Sequence, residues 1–251
     1  MDLTFMRVAS VCAVLLALTV STARADYVTG SEDIRGRQFS GDFSWRYSYT
    51  RSFDGEQVVK HVEINFLFDG FGESFDTEAY KAEAEASIES VWNNKFRVRS
   101  DTGDEFPVVI DVTTTGPFNQ TVTVFNNTRN DTDRIYSMTK WYALSDIGTF
   151  KAHEFGHMLG LFDEYVGGAV DDPAILSNDG LMGLGALTTN PVMYPRYYQQ
   201  FADFMNQLHA SGPNAHTFSL VPVPLPPSLV LMGGPLGLMV CWRMRASKQR
   251  A

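Results

Sequence analysis

Two stretches near the start of the chain alternate between apolar and polar residues. Residues 43–51 and 58–68 both have this period of two, which is typical of half-exposed strands. The period then changes, and the apolar residues of the next segment share one face of a helix: Tyr80, Ala84, Ile88, Val91 and Trp92. Asp76, just before this segment, is a residue type that caps helix N-termini well. The pattern therefore predicts two strands followed by an amphipathic helix.

The middle of the chain shows three more strand-like segments and one more helical segment. Strands are predicted at residues 107–113, 121–125 and 135–144, and a last amphipathic helix at residues 201–209. Residues 26–40 are polar and contain glycine, so we expect irregular structure there. This order of elements predicts an α+β fold, with a twisted mixed sheet packed against helices in a single domain.

The first 25 residues have the three parts of a secretory signal. Arg7 supplies a positive start, residues 8–20 are almost wholly apolar, and Ala23-Arg24-Ala25 places small residues where a signal peptidase reads them. An apolar run of about 13 residues is short for a bilayer about 30 Å thick. We therefore expect cleavage before Asp26 and export of the protein.

The last segment, residues 221–251, also has three parts. Four prolines lie between Pro222 and Pro227, and an apolar stretch follows from about Leu229 to Trp242. The chain then ends with four basic residues: Arg243, Arg245, Lys248 and Arg250. The prolines form a stiff spacer because proline neither continues a helix nor donates to a sheet. The basic residues would hold the end of the apolar stretch on the cytoplasmic side of a membrane.

This segment resembles the exosortase-processed (PEP-CTERM) sorting signals of Gram-negative bacteria, in particular the variant that begins Val-Pro-Leu-Pro, here residues 223–226. The resemblance implies an extracellular or cell-surface protein, anchored transiently in the membrane by its C-terminus and processed by a sorting peptidase. The alternative is a plain C-terminal membrane anchor. The chain thus divides into a signal peptide (1–25), a domain (26–220) and a sorting tail (221–251).

Charge and cysteine content limit what this domain can do. The whole chain has a net charge of −9, and because the two end segments carry +1 and +4, the domain carries −14. So acidic a domain would repel phosphates, which excludes nucleic acid as a partner. Both cysteines, Cys12 and Cys241, lie in the end segments. The domain therefore has no disulfide, and any metal site in it must use histidine and carboxylate ligands.

The stretch HEFGHMLGLFDEY contains the strongest chemical signal in the chain. His153 and His157 are separated by four positions, so on a helix both imidazoles project from one face and can reach one metal ion. Glu154 is rotated by about 100° from His153 around such a helix. This position suits Glu154 to hydrogen-bond a water on the metal and to act as a general base.

The helix that carries these histidines has predicted ends. Asp146 can cap it, its first turn is expected at residues 147–150, and it should run to about Leu159. Gly160 can adopt the left-handed conformation that stops a helix. A reversal of the chain at this glycine would bring Asp163, three residues later, back to the metal.

The spacing His-Glu-x-x-His-x-x-Gly-x-x-Asp resembles that of the metzincin clan of zinc endopeptidases. The match is to the subset with aspartate in place of a third histidine, as in small secreted snapalysin-like proteases, and HEFGHMLGL is close to the matrixin stretch. The resemblance implies a zincin fold and a zinc ion bound by His153, His157 and Asp163, with Glu154 as the catalytic base. Glu164 is the alternative third ligand, because it is adjacent and also acidic.

The same clan places a methionine in a tight turn beneath the metal, and the chain offers two candidates. Met182 lies in a loop rich in turn-forming residues and is preferred, with Met193 as the alternative. In some members a tyrosine after this turn helps to hold the oxyanion. The candidates for that role are Tyr194, Tyr197 and Tyr198.

These residues predict a secreted zinc metalloendopeptidase, a hydrolase that cleaves an extended protein or peptide substrate with a metal-activated water. The alternative is a zincin-fold surface or extracellular-matrix protein that binds without turnover, and the intact Glu154 argues against it. Asp171 and Asp172, together with Glu164, are candidates for a calcium site.

Overall fold

The structure is a computed structural model that describes residues 27–40, 43–126, 137–143, 149–168, 173–211 and 215–224. The predicted signal peptide and nearly all of the predicted sorting tail lie outside these residues. Within the described part of the chain, no helix is both long and apolar enough to span a membrane.

Eight strands of the described residues form one curled, mixed sheet. In chain order they are β1 (Gly30–Ser40), β2 (Phe43–Phe53), β3 (Val58–Asp69), β4 (Phe96–Ser100), β5 (Glu105–Thr113), β6 (Gln120–Phe125), β7 (Lys140–Tyr142) and β8 (Phe218–Pro222). The sheet order is β1-β2-β3-β5-β4-β8, with β6 beside β3 and β7 beside β6. β3 is parallel to β5 and β6, and β6 is parallel to β7, while the other neighbours are antiparallel.

β3 changes its partner halfway along its length, and this opens a gap in the sheet. Residues 58–63 pair with β5, whereas residues 64–69 pair with β6. β2 pairs with β3 only over residues 50–53 of β2. Among the described strands, residues 44–49 of β2 are therefore paired with β1 alone. The β1–β2 hairpin separates from the rest of the sheet at this point and leaves one edge of β2 open.

Within the described ranges, three α-helices pack on the sheet and on each other: α1 (Thr77–Trp92), α2 (Phe150–Met158) and α3 (Gln199–Leu208). α1 begins after Asp76, whose side chain accepts a hydrogen bond from the backbone N–H of Ala79 (2.9 Å), so the predicted cap is confirmed. At the other end of α1, Trp92 donates its indole N–H to the carbonyl oxygen of Ala152 (3.0 Å). This bond fixes α2 against α1. The described residues thus form an α+β domain, as the pattern predicts.

The core lies between the sheet and the helices. Alternate residues of β3 are buried there, as the period of two requires, and Val58, Val62 and Ile64 are wholly inaccessible to solvent. Lys60 is buried on the same face, with its Nζ above the rings of Tyr49 (4.8 Å) and Phe201 (4.4 Å).

The structure corrects several predicted bounds. Residues 30–40, expected to be irregular, form β1 because the whole stretch pairs with β2. In residues 137–143, the described part of the strand predicted at residues 135–144, only β7 is observed, and the short strands β4 and β8 have no counterpart among the predictions. α2 begins at Phe150 with Thr149 as its N-cap, later than predicted, and Asp146 lies outside the described residues.

Candidate metal centre

Helix α2 places two buried imidazoles one turn apart. The rings of His153 and His157 lie 5.0 Å apart, centre to centre. Nδ1 of His153 is 2.7 Å from the carbonyl oxygen of Leu181, and Nδ1 of His157 is 2.8 Å from that of Leu161. Because a carbonyl oxygen only accepts, each Nδ1 donates, and each Nε2 is left with a lone pair for a metal.

A glycine turn returns the chain to these imidazoles. Gly160 follows α2 with φ of +85°, the left-handed conformation predicted for it. Asp163 then lies with Oδ1 3.1 Å from Nε2 of His153 and 3.3 Å from Nε2 of His157. Burial raises the pKa of the Asp163 carboxyl group, but interactions with the two imidazoles, when these also carry a proton on Nε2, lower it by more, so the carboxylate stays ionised.

The three side chains have the donor set and spacing of a metal site. One ligand atom from each of His153, His157 and Asp163 lies within 4.8 Å of the other two, and all three residues are buried. Two ligands at about 2.0–2.1 Å from one tetrahedral zinc ion are about 3.3 Å apart. The separations of 3.1 and 3.3 Å between Oδ1 of Asp163 and the two imidazole nitrogens match that value, so the group can hold a metal ion.

Glu164, the alternative third ligand, is bonded elsewhere. Its carboxylate accepts two hydrogen bonds from the guanidinium of Arg196 (2.6 Å each) and one from the hydroxyl of Tyr197 (2.8 Å). Its backbone N–H donates to the carbonyl oxygen of Met182 (2.8 Å). Glu164 therefore ties the returning chain to the segment around Met182, and it is not a member of the group that can hold a metal.

Glu154 is a buried carboxyl group beside the three donors. It is 4% exposed, and its Oε2 has no hydrogen-bond partner among the described residues. Burial raises the pKa of Glu154 to about 7, with His153 opposing this rise and Asp163 adding to it. A carboxyl group with such a pKa exchanges a proton readily near neutral pH.

Met182 lies directly beneath the helix that carries the histidines. It is fully buried, and a Cβ atom added at Gly156 of α2 would lie 2.3 Å from its sulfur. Only glycine at position 156 leaves room for this contact. Met193, the other candidate, is partly buried at the edge of the core.

The three candidate tyrosines bond to groups outside the donor set. The hydroxyl of Tyr194 donates to Asp179 (2.7 Å), that of Tyr197 to Glu164, and that of Tyr198 to the carbonyl oxygen of Trp92 (2.6 Å). The sequence-based prediction considered only tyrosines after the methionine turn. Asp171 and Asp172, the calcium candidates, lie outside the described residues.

Tyr165 is the tyrosine that the sequence-based prediction missed. Its ring lies 6.2 Å from that of His153, and burial raises the pKa of its hydroxyl, with the nearby carboxylates of Asp163 and Glu154 adding to this rise. A Cβ added at Gly168 would lie 2.6 Å from Oδ2 of Asp163, so the carboxylate needs glycine at that position. Tyr165 and Gly168 therefore both adjoin the Asp163 side chain. The signal was present in the sequence, because Tyr165 is only two positions after that ligand.

The donors open onto a cleft of about 860 Å³. Glu154, His157, Asp163 and Tyr165 line it at the metal centre. Its walls are residues 44–46 at the open edge of β2, residues 119–121 at the start of β6, and residues 137–139 before β7. The gap in the sheet described above therefore leads directly to the candidate metal site.

The β1–β2 hairpin also holds the end of the histidine helix. Trp45 donates its indole N–H to the carbonyl oxygen of His157 (3.1 Å), and Gln38 donates its amide to that of Gly160 (3.0 Å). The carbonyl oxygen of His157 also accepts the N–H of Gly160 (2.9 Å), and that of Gly160 lies just beyond the end of the helix. The hairpin therefore orders the glycine turn as well as forming a wall of the cleft.

Comparison with known proteins gives no further assignment: no protein-family model, no curated protein and no solved structure matches this chain.

Proposed function

We propose that this chain is a secreted zinc-dependent endopeptidase with a metzincin-like zincin fold. The observation that carries the proposal is a buried carboxyl oxygen on Glu154 that has no hydrogen-bond partner among the described residues. It lies beside the compact group of His153, His157 and Asp163 and lines an open cleft. A purely structural histidine pair would not require a carboxyl group to be buried without a hydrogen-bond partner, because such burial is costly.

The donor set favours zinc. His153 and His157 offer neutral nitrogen and Asp163 offers carboxylate oxygen, a combination found in catalytic zinc sites that have three protein ligands. When bound, zinc would supply Lewis acidity toward a substrate carbonyl and would make a water molecule more acidic.

Glu154 supplies the proton transfers in this proposal. It follows His153 directly in α2 and lines the cleft, so a peptide bond lying over the metal centre would be within its reach. Glu154 takes the proton of the attacking water and returns it to the leaving amine. Tyr165 and the carbonyl oxygens of Leu181 and Leu161 hold the ligand side chains in place during these transfers.

The shape of the cleft supports a peptide as substrate. The open edge of β2 lies on one side of it and the start of β6 on another. An extended peptide can form backbone hydrogen bonds with such an edge, which is a recurring mode of peptide capture. We also propose that the enzyme acts outside the cell or at its surface, because the sequence predicts a signal peptide and a sorting tail.

The test compares wild-type protein with Glu154→Gln and with Glu78→Gln, a substitution of an exposed carboxyl group on α1 outside the donor set. All three should contain equal zinc, and hydrolysis of unfolded casein should fall on the order of 10²–10⁴-fold in Glu154→Gln only. Equal hydrolysis by Glu154→Gln and wild type would refute the assigned base. A zinc-loaded wild type without hydrolysis would favour a matrix-binding protein.

A further inference from the structure

Arginines are concentrated on the outer face of the β1–β2 hairpin at the rim of the cleft. Arg46 of β2 is exposed and lines the cleft. In the antiparallel register it is directly opposite Arg37 of β1, so both side chains project from the same face. Arg35 is the next residue of β1 on that face and is also exposed.

This arrangement is unfavourable for the hairpin by itself. Like charges directly opposite each other on neighbouring strands repel. Among the described residues, Arg51, Arg97, Arg99 and Arg196 are each paired with a glutamate. Arg35 and Arg46 have no such ion pair within the same described residues, although the domain carries a net charge of −14. Arg46 is therefore available to pair with an anion from another molecule.

The open edge of β2 determines where such an anion would be placed. Residues 44–46 line the cleft and are paired on one side only, with β1. A peptide that lies beside this edge as an extra strand presents alternate side chains on the outer face. One of these peptide side chains lies directly opposite the side chain of Arg46. An acidic side chain at that position would be an opposite-charge neighbour of Arg46, whereas a lysine would add a third like charge.

We propose that the cleft selects peptide segments with an acidic side chain opposite Arg46, and that Arg46 determines this specificity with support from Arg37. As a statement about cleavage, this inference rests on the proposed endopeptidase function. A peptide is favoured over an anionic polysaccharide because Arg46 adjoins an open strand edge in the cleft that also contains Glu154 and His157.

The experiment uses zinc-reconstituted, full-length Glu154→Ala protein, so that binding is measured without turnover. Fluorescence anisotropy reports the binding of a short fluorescein-labelled peptide of alternating glutamate and valine, and of the matched lysine–valine peptide. We expect the acidic peptide to bind roughly three- to tenfold more tightly. Adding Arg46→Glu should reverse this preference, and since glutamate opposite Arg37 is a favourable pair, the hairpin should remain folded. Adding Arg97→Glu, on β4, should leave the preference unchanged.

The outcomes separate this inference from the proposed function. Equal binding of the two peptides, or a preference that survives Arg46→Glu, would overturn the inference. Alginate, an anionic polysaccharide, serves as a competitor. If alginate displaces the acidic peptide more strongly than unlabelled acidic peptide does, and Arg46→Glu abolishes this displacement, the arginines bind polysaccharide and the inference is overturned.

If wild type hydrolyses both peptides at equal rates, the inference fails and the endopeptidase stands. If wild type hydrolyses neither while acidic binding depends on Arg46, the recognition stands and the endopeptidase fails.

Discussion

Asp163 and Glu164 are neighbours in the chain, but their carboxylates have different partners. Asp163 Oδ1 is 3.1 Å from Nε2 of His153, whereas Glu164 accepts two hydrogen bonds from Arg196, each 2.6 Å long. One residue therefore belongs to the donor group, and the other fastens the chain that carries it. The two positions should consequently respond to mutation in different measurements.

Asp163→Asn should weaken zinc binding far more than Glu164→Gln, because only the first change alters a metal ligand. Glu164→Gln should instead lower the free energy of unfolding by about 2 kcal/mol, since a charged hydrogen-bond acceptor of Arg196 and Tyr197 is lost. Competition with a zinc chelator and urea unfolding of the apo-protein measure the two effects. A larger loss of zinc affinity in Glu164→Gln would contradict the assigned ligand.

Tyr165→Phe should weaken zinc binding roughly 10- to 100-fold, the effect of losing a residue that orients a ligand. The reason is the electrostatic interaction of its hydroxyl with the carboxylate of Asp163. Tyr194→Phe is the matched control, because its hydroxyl bonds to Asp179 instead. Equal zinc affinities for the two variants, measured by chelator competition, would show that Tyr165 does not position the ligand.

Lys60→Met should stabilise the protein at neutral pH by about 1–3 kcal/mol, because it removes a buried amine whose Nζ has no hydrogen-bond partner among the described residues. Burial lowers the pKa of Lys60 well below its usual value, and the nearby Arg51 adds to this effect. Lys140→Met changes an exposed lysine and serves as the control.

The pH dependence of stability follows from the direction of that shift. Between the lowered pKa of Lys60 in the folded state and about 10.4 in the unfolded state, the unfolded chain binds the extra proton. The free energy of unfolding of the wild type should therefore rise with pH across this window, and that of Lys60→Met should rise less. Urea unfolding at about pH 6 and about pH 9 tests this. Equal slopes for the two proteins would mean that Lys60 does not titrate as described.

The C-terminal tail should be cut in the native host near Pro222 to Pro227, as its resemblance to a sorting signal implies. β8 pairs with β4 as far as Pro222, and the N–H of Val223 donates to the carbonyl oxygen of Lys95 (2.9 Å). We therefore expect the cut between Val223 and Leu229, because a cut there leaves the pairing of β8 with β4 intact. Intact-mass measurement of the exported protein would show this terminus, whereas a mature protein that retains Trp242 would indicate a simple anchor.

Local chemistry made much of the site predictable. The spacing of His153 and His157 and the left-handed Gly160 depend on helix geometry, which is encoded in neighbouring residues. The cap at Asp76 and the buried face of α1 were predictable for the same reason. The donor group formed by these histidines and Asp163 is the part of the predicted site that the geometry brings together.

Long-range pairing explains what could not be predicted. Trp45 and His157 are 112 positions apart, and no local pattern indicates that one donates to the carbonyl oxygen of the other. Residues 30–40 are polar enough to suggest a loop, yet they form β1 because β2 supplies the backbone hydrogen bonds. The role proposed for the arginines on this hairpin could not be predicted either, because it depends on the strand register that places Arg46 opposite Arg37 at the cleft.

The most direct test of the central claim follows zinc and peptide hydrolysis together through chelation and reconstitution of the full-length protein. Wild type should bind one zinc ion per chain, lose hydrolysis as the zinc is removed, and regain both on addition of stoichiometric zinc. His157→Ala should neither bind stoichiometric zinc nor hydrolyse the peptide, with or without added zinc. His216→Ala, a change outside the donor group, should behave like wild type. Absence of stoichiometric zinc from the wild type, or hydrolysis that survives complete chelation, would contradict the account.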